Sequence, residues 1–529
     1  MSLTISPSEI NDEYDYIIIG SGFGGSVSAL RLTEKGYKVL VIEKGREFKA
    51  KDYPKTNWDL KRWMWLPSLK FFGIQKLTFF RHVSVLSGVG VGGGSLVYAN
   101  TLPKPKRDFF NHGPWKDLDS WEERLNPYYD LAWKMLGAED NPLLGDNDLT
   151  LKKVAKEMGV EKSFKPTKVA VYFGEEGKTH KDPYFNGEGP SRTGCNFCGA
   201  CMTGCRHNAK NTLDKNYLYL ARAKGAHIIS ESEVSDIIPK GVKGENGYII
   251  KFKNSTKYFS NNKSVDSKGI ILAGGVLGTM PLLLKLKETH LPNLSPRLGE
   301  TVRTNNESLI LNVTDRKDLD MSRGVAIGSI VEIDEHSHME VCRYGEGSGF
   351  WKTILFPFVF EKNFFKRMAK LFKKVLFSPS SWLRSFTVDD FAKRSSIILF
   401  MQHLDSTLKF KRNFRGIGTT MSSGPTPSAF IDQAAKAASS FTKVINSKPV
   451  VLSLETITGI PSTAHILGGA CMGKDPESGV IDKDNKVFGY ENMYVFDGSM
   501  ISANPGVNPS LSITAISEYG MSKIPQKNC

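Results

Sequence analysis

Apolar residues near the start of the chain fall into two short runs with a different periodicity between them. Tyr16-Ile17-Ile18-Ile19 is apolar and β-branched, the composition of a strand buried on both faces. From Ser26 to Lys35 the pattern turns helical, with Val27 and Leu30 three residues apart, and Gly36 ends it. Val39-Leu40-Val41-Ile42 is a second buried run that stops at Glu43. Strand, helix and strand in this order predict a parallel βαβ unit. Farther on, Asp108 to Glu161 is helical in pattern, and Ala226–Ser230 and Val234–Ile238 read as strands. Gly269 to Ala273 is a buried strand entering a glycine turn, followed by a helix over Met280–Lys287. From about Leu309 to Arg412 apolar strands alternate with loops, and Tyr494 opens a last strand–turn–helix. Elements of the first kind thus recur at the start, middle and end of the chain, with other segments between them.

The turn inside the first unit carries chemistry. Gly20-x-Gly22-x-x-Gly25 permits a tight turn, a close backbone approach to a pyrophosphate and close helix–strand packing. The helix that follows offers free N–H groups and a positive dipole end to phosphate. Glu43 ends the second strand, where an acid can accept hydrogen bonds from a ribose diol. Such an acid favours a free 2′-hydroxyl, hence FAD or NAD rather than NADP. A second glycine run, Gly88 to Gly94 before Ser95, places five glycines in seven residues. Backbone of that kind suits passage close to a bulky flat or phosphorylated group. The aromatic stretch from Lys51 to Phe80 can either pack over the cofactor or line an apolar entrance.

With 529 residues, two or three interwoven domains are expected. A net charge of +15 favours anionic partners such as a phospholipid surface or a phosphorylated ligand. No nucleic-acid motif accompanies the charge, so nucleic acid is set aside as a partner. The polar, acidic N-terminus has no signal pattern, and no apolar run reaches the roughly 18 residues of a membrane span. The protein is therefore expected in the cytoplasm. Seven cysteines, four of them crowded together, do not resemble a secreted disulfide framework.

Four stretches together resemble the glucose–methanol–choline (GMC) family of FAD-dependent oxidoreductases. They are the N-terminal fingerprint, Gly88–Asn100, Gly269–Thr279, and the set His465…Asp497-Gly498-Ser499…Asn508-Pro509. Within the family the chain is most similar to mycobacterial-type bacterial cholesterol oxidases. The resemblance implies an α/β fold in which a Rossmann-like FAD-binding domain is interleaved with an α+β substrate domain built on a β-sheet. The FAD domain is expected from 1–50, 191–308 and 456–529. Segments of the FAD loop and substrate domain would occupy 51–190, and the substrate domain 309–455. It further implies that Gly20, Gly22 and Gly25 contact the FAD pyrophosphate and that Glu43 binds the adenosine ribose. Gly92, Gly93, Gly94 and Ser95 would lie near the flavin, and the Val234 backbone would meet the adenine. Asp497 and Gly498 would touch the pyrophosphate or ribityl chain.

Oxidising an alcohol with a flavin sends a hydride from the carbinol carbon to flavin N5 while a base receives the hydroxyl proton. His465 and Asn508 are the residue types for that task, an imidazole for the proton and a carboxamide as fixed donor. The implied reaction is oxidation of the 3β-hydroxyl of a sterol to the ketone, with oxygen accepting the electrons to give hydrogen peroxide. A lipophilic or long-chain alcohol dehydrogenase with another electron carrier, and a non-catalytic redox-sensing or lipid-binding flavoprotein, are the alternatives. Isomerisation of the 5-ene to the 4-ene could follow, but it needs a glutamate expected just before Ile397. Ala392, Lys393 and Arg394 stand there, with Asp389 and Asp390 upstream.

Two further features stand out. Cys195-x-x-Cys198-x-x-Cys201-x-x-x-Cys205 matches ferredoxin spacing, yet in ferredoxins the fourth cysteine of such a run serves a second cluster. A cluster on the first three would need Cys342, Cys471 or Cys529 as fourth ligand. A zinc site, a reversible dithiol and plain reduced cysteines are the rival readings. The second feature is Lys362 to Leu376. There Phe364, Phe365, Met368, Leu371, Phe372, Val375 and Leu376 share one side of a helix, opposite Lys362, Lys366, Arg367, Lys370, Lys373 and Lys374. Either the apolar side packs on the core, or the helix docks on an anionic membrane surface.

Overall fold

The computed structural model describes residues 2–414 and 416–527. Two seven-stranded sheets organise it. In the first, Glu13–Ile19 lies between Val39–Ile42 and Lys263–Leu272, all parallel, with Tyr16 opposite both Val39 and Gly269. His227–Ile229 extends one edge in parallel and Met493–Val495 joins Lys263–Leu272 in parallel. Tyr248–Asn254 and Ser232–Pro239 complete the other edge antiparallel. Parallel strands covered on both faces read as continuous apolar runs, and Ile17, Ile18, Leu40, Val41, Ile270 and Ile271 are all buried. Burying each such side chain is worth roughly 1.5–3 kcal/mol. The helices Phe23–Glu34, Tyr217–Ala223 and Ser510–Lys523 pack together against this sheet, with Trp121–Met135 against the last.

The second sheet is antiparallel. Its order is Leu355–Pro357, Lys448–Leu452, Ser308–Val313, Ser395–Gln402, Ser337–Cys342, Ile327–Glu332 and Lys165–Pro166. Side chains alternate between its faces. Ile310, Ile398, Phe400, Met339 and Val341 point to one side, where the helices Asp146–Glu157 and Asp432–Ile445 cover them. Leu309, Leu311, Ile397, Leu399 and Cys342 point to the other, toward a cavity of about 740 Å³ between the two sheets. The parallel strands of the first sheet end at that cavity, which is where open α/β sheets bind ligands.

The aromatic stretch after Lys51 is mostly packing. Trp63 is buried with Phe48, Tyr53, Leu96 and Trp351 in a small core beside the glycine loop, while Gln75 and Lys76 reach the cavity.

The basic segment forms a helix over Phe364–Phe377, followed by a second over Ser380–Thr387. Its orientation differs from an ordinary amphipathic surface helix. Phe365, Phe372 and Phe377 are 79%, 68% and 73% exposed, and Phe364, Val375 and Leu376 are exposed beside them. Arg367, expected on the basic outer face, is instead 2% exposed. Its guanidinium donates to the carbonyls of Thr456, Glu361, Lys362 and Ile457. Five N–H donors need acceptors when buried, and the chain ends around this helix supply them, so the arginine rather than the phenylalanines anchors it. No helix among the described residues is long and apolar enough to cross a membrane.

Candidate active site

The cavity begins at the glycine turn. Gly20 has φ +101°, and a Cβ there would stand 2.4 Å from the Ala273 carbonyl. A Cβ at Gly25 would stand 2.1 Å from Gly20 O, so this glycine serves close packing of helix on strand and does not line the cavity. Gly22 differs. Only Ala273 O, at 4.0 Å, would approach its Cβ, and the residue lines the cavity as N-cap of the Phe23–Glu34 helix, whose first turn holds no acid. A phosphate fits such a place, where N–H groups and dipole are open and no side chain intrudes. Glu43 accepts from Ser21 N–H at 3.1 Å, Ser21 Oγ at 2.7 Å and Gly45 N–H at 2.8 Å. A carboxylate has about four lone-pair sites, which leaves it capacity for a hydroxyl. Val234 lines the same end of the cavity, next to a bulge in its strand.

The second glycine loop divides in two. Gly93 and Gly94 line the cavity, and Gly93, at φ +52°, lies so near Gly22 that a Cβ would meet its Cα at 2.7 Å. Gly92 and Ser95 sit one layer behind. Gly92 N–H donates to Ser21 Oγ at 3.0 Å, and Ser95 Oγ donates to Gly92 O at 2.7 Å while accepting from Leu213 N–H at 3.1 Å. They brace the loop that Gly93 and Gly94 present. Asp497 and Gly498 close the wall from the C-terminal segment. The Asp497 carboxyl accepts from Ser499 N–H at 2.8 Å and Thr279 Oγ1 at 2.5 Å, and burial raises its pKa.

His465 and Asn508, 43 residues apart in the chain, line the cavity together. The two-residue strand Ser462–Thr463 pairs in parallel with Ser84–Gly88 and so sets His465 beside the glycine loop. Its Nδ1 is 3.0 Å from Glu307 Oε2. The other oxygen of Glu307 accepts from Thr463 Oγ1, from Ala464 N–H at 2.8 Å and from His465 N–H at 3.3 Å. A carboxylate facing Nδ1 places the ring proton there and leaves Nε2 for the cavity. Asn508 directly precedes Pro509, the N-cap of the Ser510–Lys523 helix, whose first residues also line the cavity. The positive end of that helix therefore faces the site. Asn305 Nδ2 donates to Val507 O at 2.8 Å and ties the Asn508 loop to the second sheet. The Asn508 amide lies against Glu340, and with its nitrogen assigned to that side it donates to the two carboxyl oxygens at 3.0 and 3.2 Å. Glu340 is buried on the Ser337–Cys342 strand, and burial pushes its pKa up to about 8. His338, two residues before it, is buried too and held down at about 4.

Glu307 and Glu340 are buried carboxylates beside His465 and Asn508 that the chain pattern does not expose. Glu307 lies between two asparagines and an apolar strand, and an acid entering a buried strand is its one signal. No acid stands at 392–394. Asp389 pairs with Arg394 at 2.8 Å, and Asp390 caps the short Phe391–Arg394 helix. A buried carboxylate does lie on the same face of the second sheet as Cys342 and Leu399. Glu340 arrives from the neighbouring strand, opposite Leu399 in the register.

Cys195, Cys198, Cys201 and Cys205 are free thiols that share one small cavity of about 20 Å³. Cys342 faces the large cavity, and Cys471 lies against Thr301 and Arg303. Cys529 lies outside the described residues.

A dinucleotide cleft at the strand ends of one sheet, opening onto the apolar face of a second, with a carboxylate-held histidine at the junction, defines a flavin-type alcohol oxidoreductase. Residues 14–290 and 421–517 match the N- and C-terminal profiles of GMC oxidoreductases, and the chain belongs to that family of FAD-dependent alcohol oxidoreductases. It is 45% identical to a cholesterol oxidase of Acinetobacter baumannii, over 98% of this chain and 95% of that one. It is 41% identical to a cholesterol oxidase of Mycobacterium tuberculosis, over 97% and 92%. A long-chain-alcohol oxidase of Arabidopsis thaliana matches at 23% over 95% of this chain and 65% of the plant protein. Among solved structures, pyridoxine 4-oxidase from Mesorbium loti shares the fold with a TM-score of 0.59 at 15% identity, over 96% and 98% of the two chains. Membership in an enzyme family sets aside the non-catalytic flavoprotein alternative.

Proposed function

We propose that the chain oxidises the 3β-hydroxyl of a sterol to the ketone, with FAD as its cofactor and dioxygen as final acceptor, giving hydrogen peroxide. His465 carries this reading. One ring nitrogen is held by Glu307, and the other is left for a cavity whose far wall is apolar sheet. FAD, when bound, supplies the acceptor for the carbinol hydride. Gly22, Gly93, Gly94, Glu43, Val234, Asp497 and Gly498 are the residues to hold it, since each lines the cavity. An unprotonated Nε2 receives the hydroxyl proton, and the Asn508 amide orients the oxygen. Leu309, Leu311, Ile397 and Leu399 suit a rigid hydrocarbon and exclude water from the reacting atoms.

Glu340 supports a second step, the shift of the 5-ene to the 4-ene. In ionised form it would take a proton from carbon 4 of the intermediate ketone and return it to carbon 6, with no net proton gained or lost. A long-chain primary alcohol is the second reading, favoured by the plant relatives and compatible with the same apolar wall.

A sterol is almost insoluble in water, so the substrate has to come from a bilayer. The exposed phenylalanines of Phe364–Phe377, flanked by Lys362, Lys366 and Lys373, fit the headgroup boundary of an anionic membrane. That helix rests on Ser453–Thr458, which directly follows the cavity-lining Leu452. The protein would then be cytoplasmic and peripheral on the inner membrane face.

Anaerobic mixing with cholesterol and, separately, with hexadecanol tests the substrate while flavin absorbance is followed. Bleaching by cholesterol, with peroxide formed on admitting air, is expected. Bleaching by hexadecanol alone would overturn the sterol reading, and bleaching without peroxide would overturn the role of oxygen.

A further inference from the structure

The cysteine run is unused by the alcohol chemistry, yet its surroundings are built around it. All four thiols line one cavity, together with His207 and Lys210. This resolves the question of the fourth ligand, because Cys205 returns to the space that Cys195, Cys198 and Cys201 enclose. The backbone curls tightly to achieve it. Gly199 and Gly204 have φ of +68° and +97°, and Phe197, a bulky residue, is held at φ +55°. Two sulfurs receive backbone N–H groups, Cys195 from Phe197 at 3.4 Å and Cys205 from Lys210 at 3.5 Å, as thiolate ligands of clusters do.

Charge is the second observation. Lys210 and Arg192 are both buried, and neither forms an ion pair among the described residues. Lys210 Nζ donates to the carbonyls of Leu96, Tyr98 and Cys201 at 2.9–3.0 Å. Arg192 donates to Asn208, Ala209, Lys210 and Asn211. The one buried carboxylate acting on both cations is Asp214, which touches neither, and such cations favour further negative charge beside the four thiols. Buried Asn100, at the end of the glycine loop, turns its side chain to the Cys201 sulfur.

Spacing argues against a single zinc ion. Around one zinc ion the four sulfurs would stand about 3.8 Å apart, from a Zn–S bond of about 2.3 Å. Among the described residues, the three-residue set whose ligand atoms gather within 4.8 Å is Asp108, His336 and His403, and no trio of these cysteines does so. The ligands of a four-iron cluster bind separate irons and stand farther apart.

We propose that Cys195, Cys198, Cys201 and Cys205 ligate a single [4Fe–4S] cluster beside the FAD site. Met202 and Tyr98 line the FAD cavity, and Lys210 bridges the two sites through the Cys201, Leu96 and Tyr98 carbonyls. The proposal does not rest on the identity of the alcohol.

The test is anaerobic purification of the flavin-loaded protein, reconstitution with ferrous iron and sulfide, and assay of iron, acid-labile sulfide and the paramagnetic resonance of the reduced protein. About four irons and about four sulfides per chain are expected for one cubane. Cys198→Ser and Cys205→Ala should each lower that content by at least about threefold with bound FAD retained, whereas Cys471→Ser keeps it. Wild-type protein with full FAD but less than about one iron per chain, or with zinc in its place, overturns the proposal. So does undiminished cluster content in Cys205→Ala.

Discussion

Glu307 holds His465 by the ring, its Oε2 3.0 Å from Nδ1, while its other oxygen gathers the N–H groups of Ala464 and His465 itself. One carboxylate thus fixes both the backbone and the tautomer of the residue proposed to take the substrate proton. His465→Ala should lose about 10²–10⁴-fold in the rate of flavin reduction while retaining the flavin spectrum. Glu307→Gln keeps the shape but lets Nδ1 face an amide donor, so a loss of roughly 10- to 100-fold is expected. Rapid-mixing absorbance measures both, and unchanged reduction rates would remove His465 from the chemistry.

Glu340 faces Asn508 from the sheet and not from the flavin loop, so its removal should separate the two proposed steps. In Glu340→Gln, sterol oxidation should continue and the 5-ene ketone should accumulate. Chromatography of the products distinguishes it from the conjugated 4-ene ketone. In the wild type, isomerisation needs the ionised carboxyl and should rise with pH to a plateau above about 8, where Glu340 titrates. An isomerisation rate that is flat from pH 6 to 9 would exclude Glu340 as the base.

Buried carboxyls also set a pH dependence of stability. Burial raises Glu340 and Glu455 each to about 8 from an ordinary value near 4.5. Between these limits the folded state binds more protons than the unfolded chain, so stability falls as pH rises. The contribution is full below about 4.5 and lost as pH passes through about 8. Thermal unfolding midpoints should therefore decline from pH 5 to 9, and Glu455→Gln should flatten the decline.

The outward phenylalanines make membrane docking separable from catalysis. Lys366→Gln with Lys373→Gln removes two cations from the basic flank, at about 1 kcal/mol each near an anionic surface. Vesicles containing phosphatidylserine should then bind about 30-fold more weakly by cosedimentation. Phe365→Ser with Phe372→Ser should weaken binding to neutral vesicles too, while activity on detergent-dispersed sterol stays unchanged. Equal binding of all variants would assign the helix to another partner.

Much of this was readable in one dimension. The βαβ unit, its glycines and Glu43 depend on short-range geometry: φ freedom at Gly20, a helix N-terminus at Gly22, and apolar runs at Ile17–Ile19 and Val39–Ile42. Such features are written within some thirty residues, and pattern is enough to find them. His465 and Asn508 were picked out by the family resemblance, since neither stands out in its local pattern. The roles of the glycines were only partly separable, because whether Gly25 meets a strand or a ligand depends on what lies across from it.

What the chain alone determined was therefore the glycine turn of the βαβ unit, the interleaved order of elements and the cysteine spacing. Tertiary structure decided the partners. Glu307 reaches His465 across 158 positions, and Glu340 meets Asn508 across 168. It also decided that Arg367 turns inward beneath exposed phenylalanines and that Cys205 completes the thiol set. Periodicity records which side of a helix or strand a residue occupies, but not what stands opposite. Contacts between distant segments depend on how two sheets meet, and that is settled only when the whole chain packs.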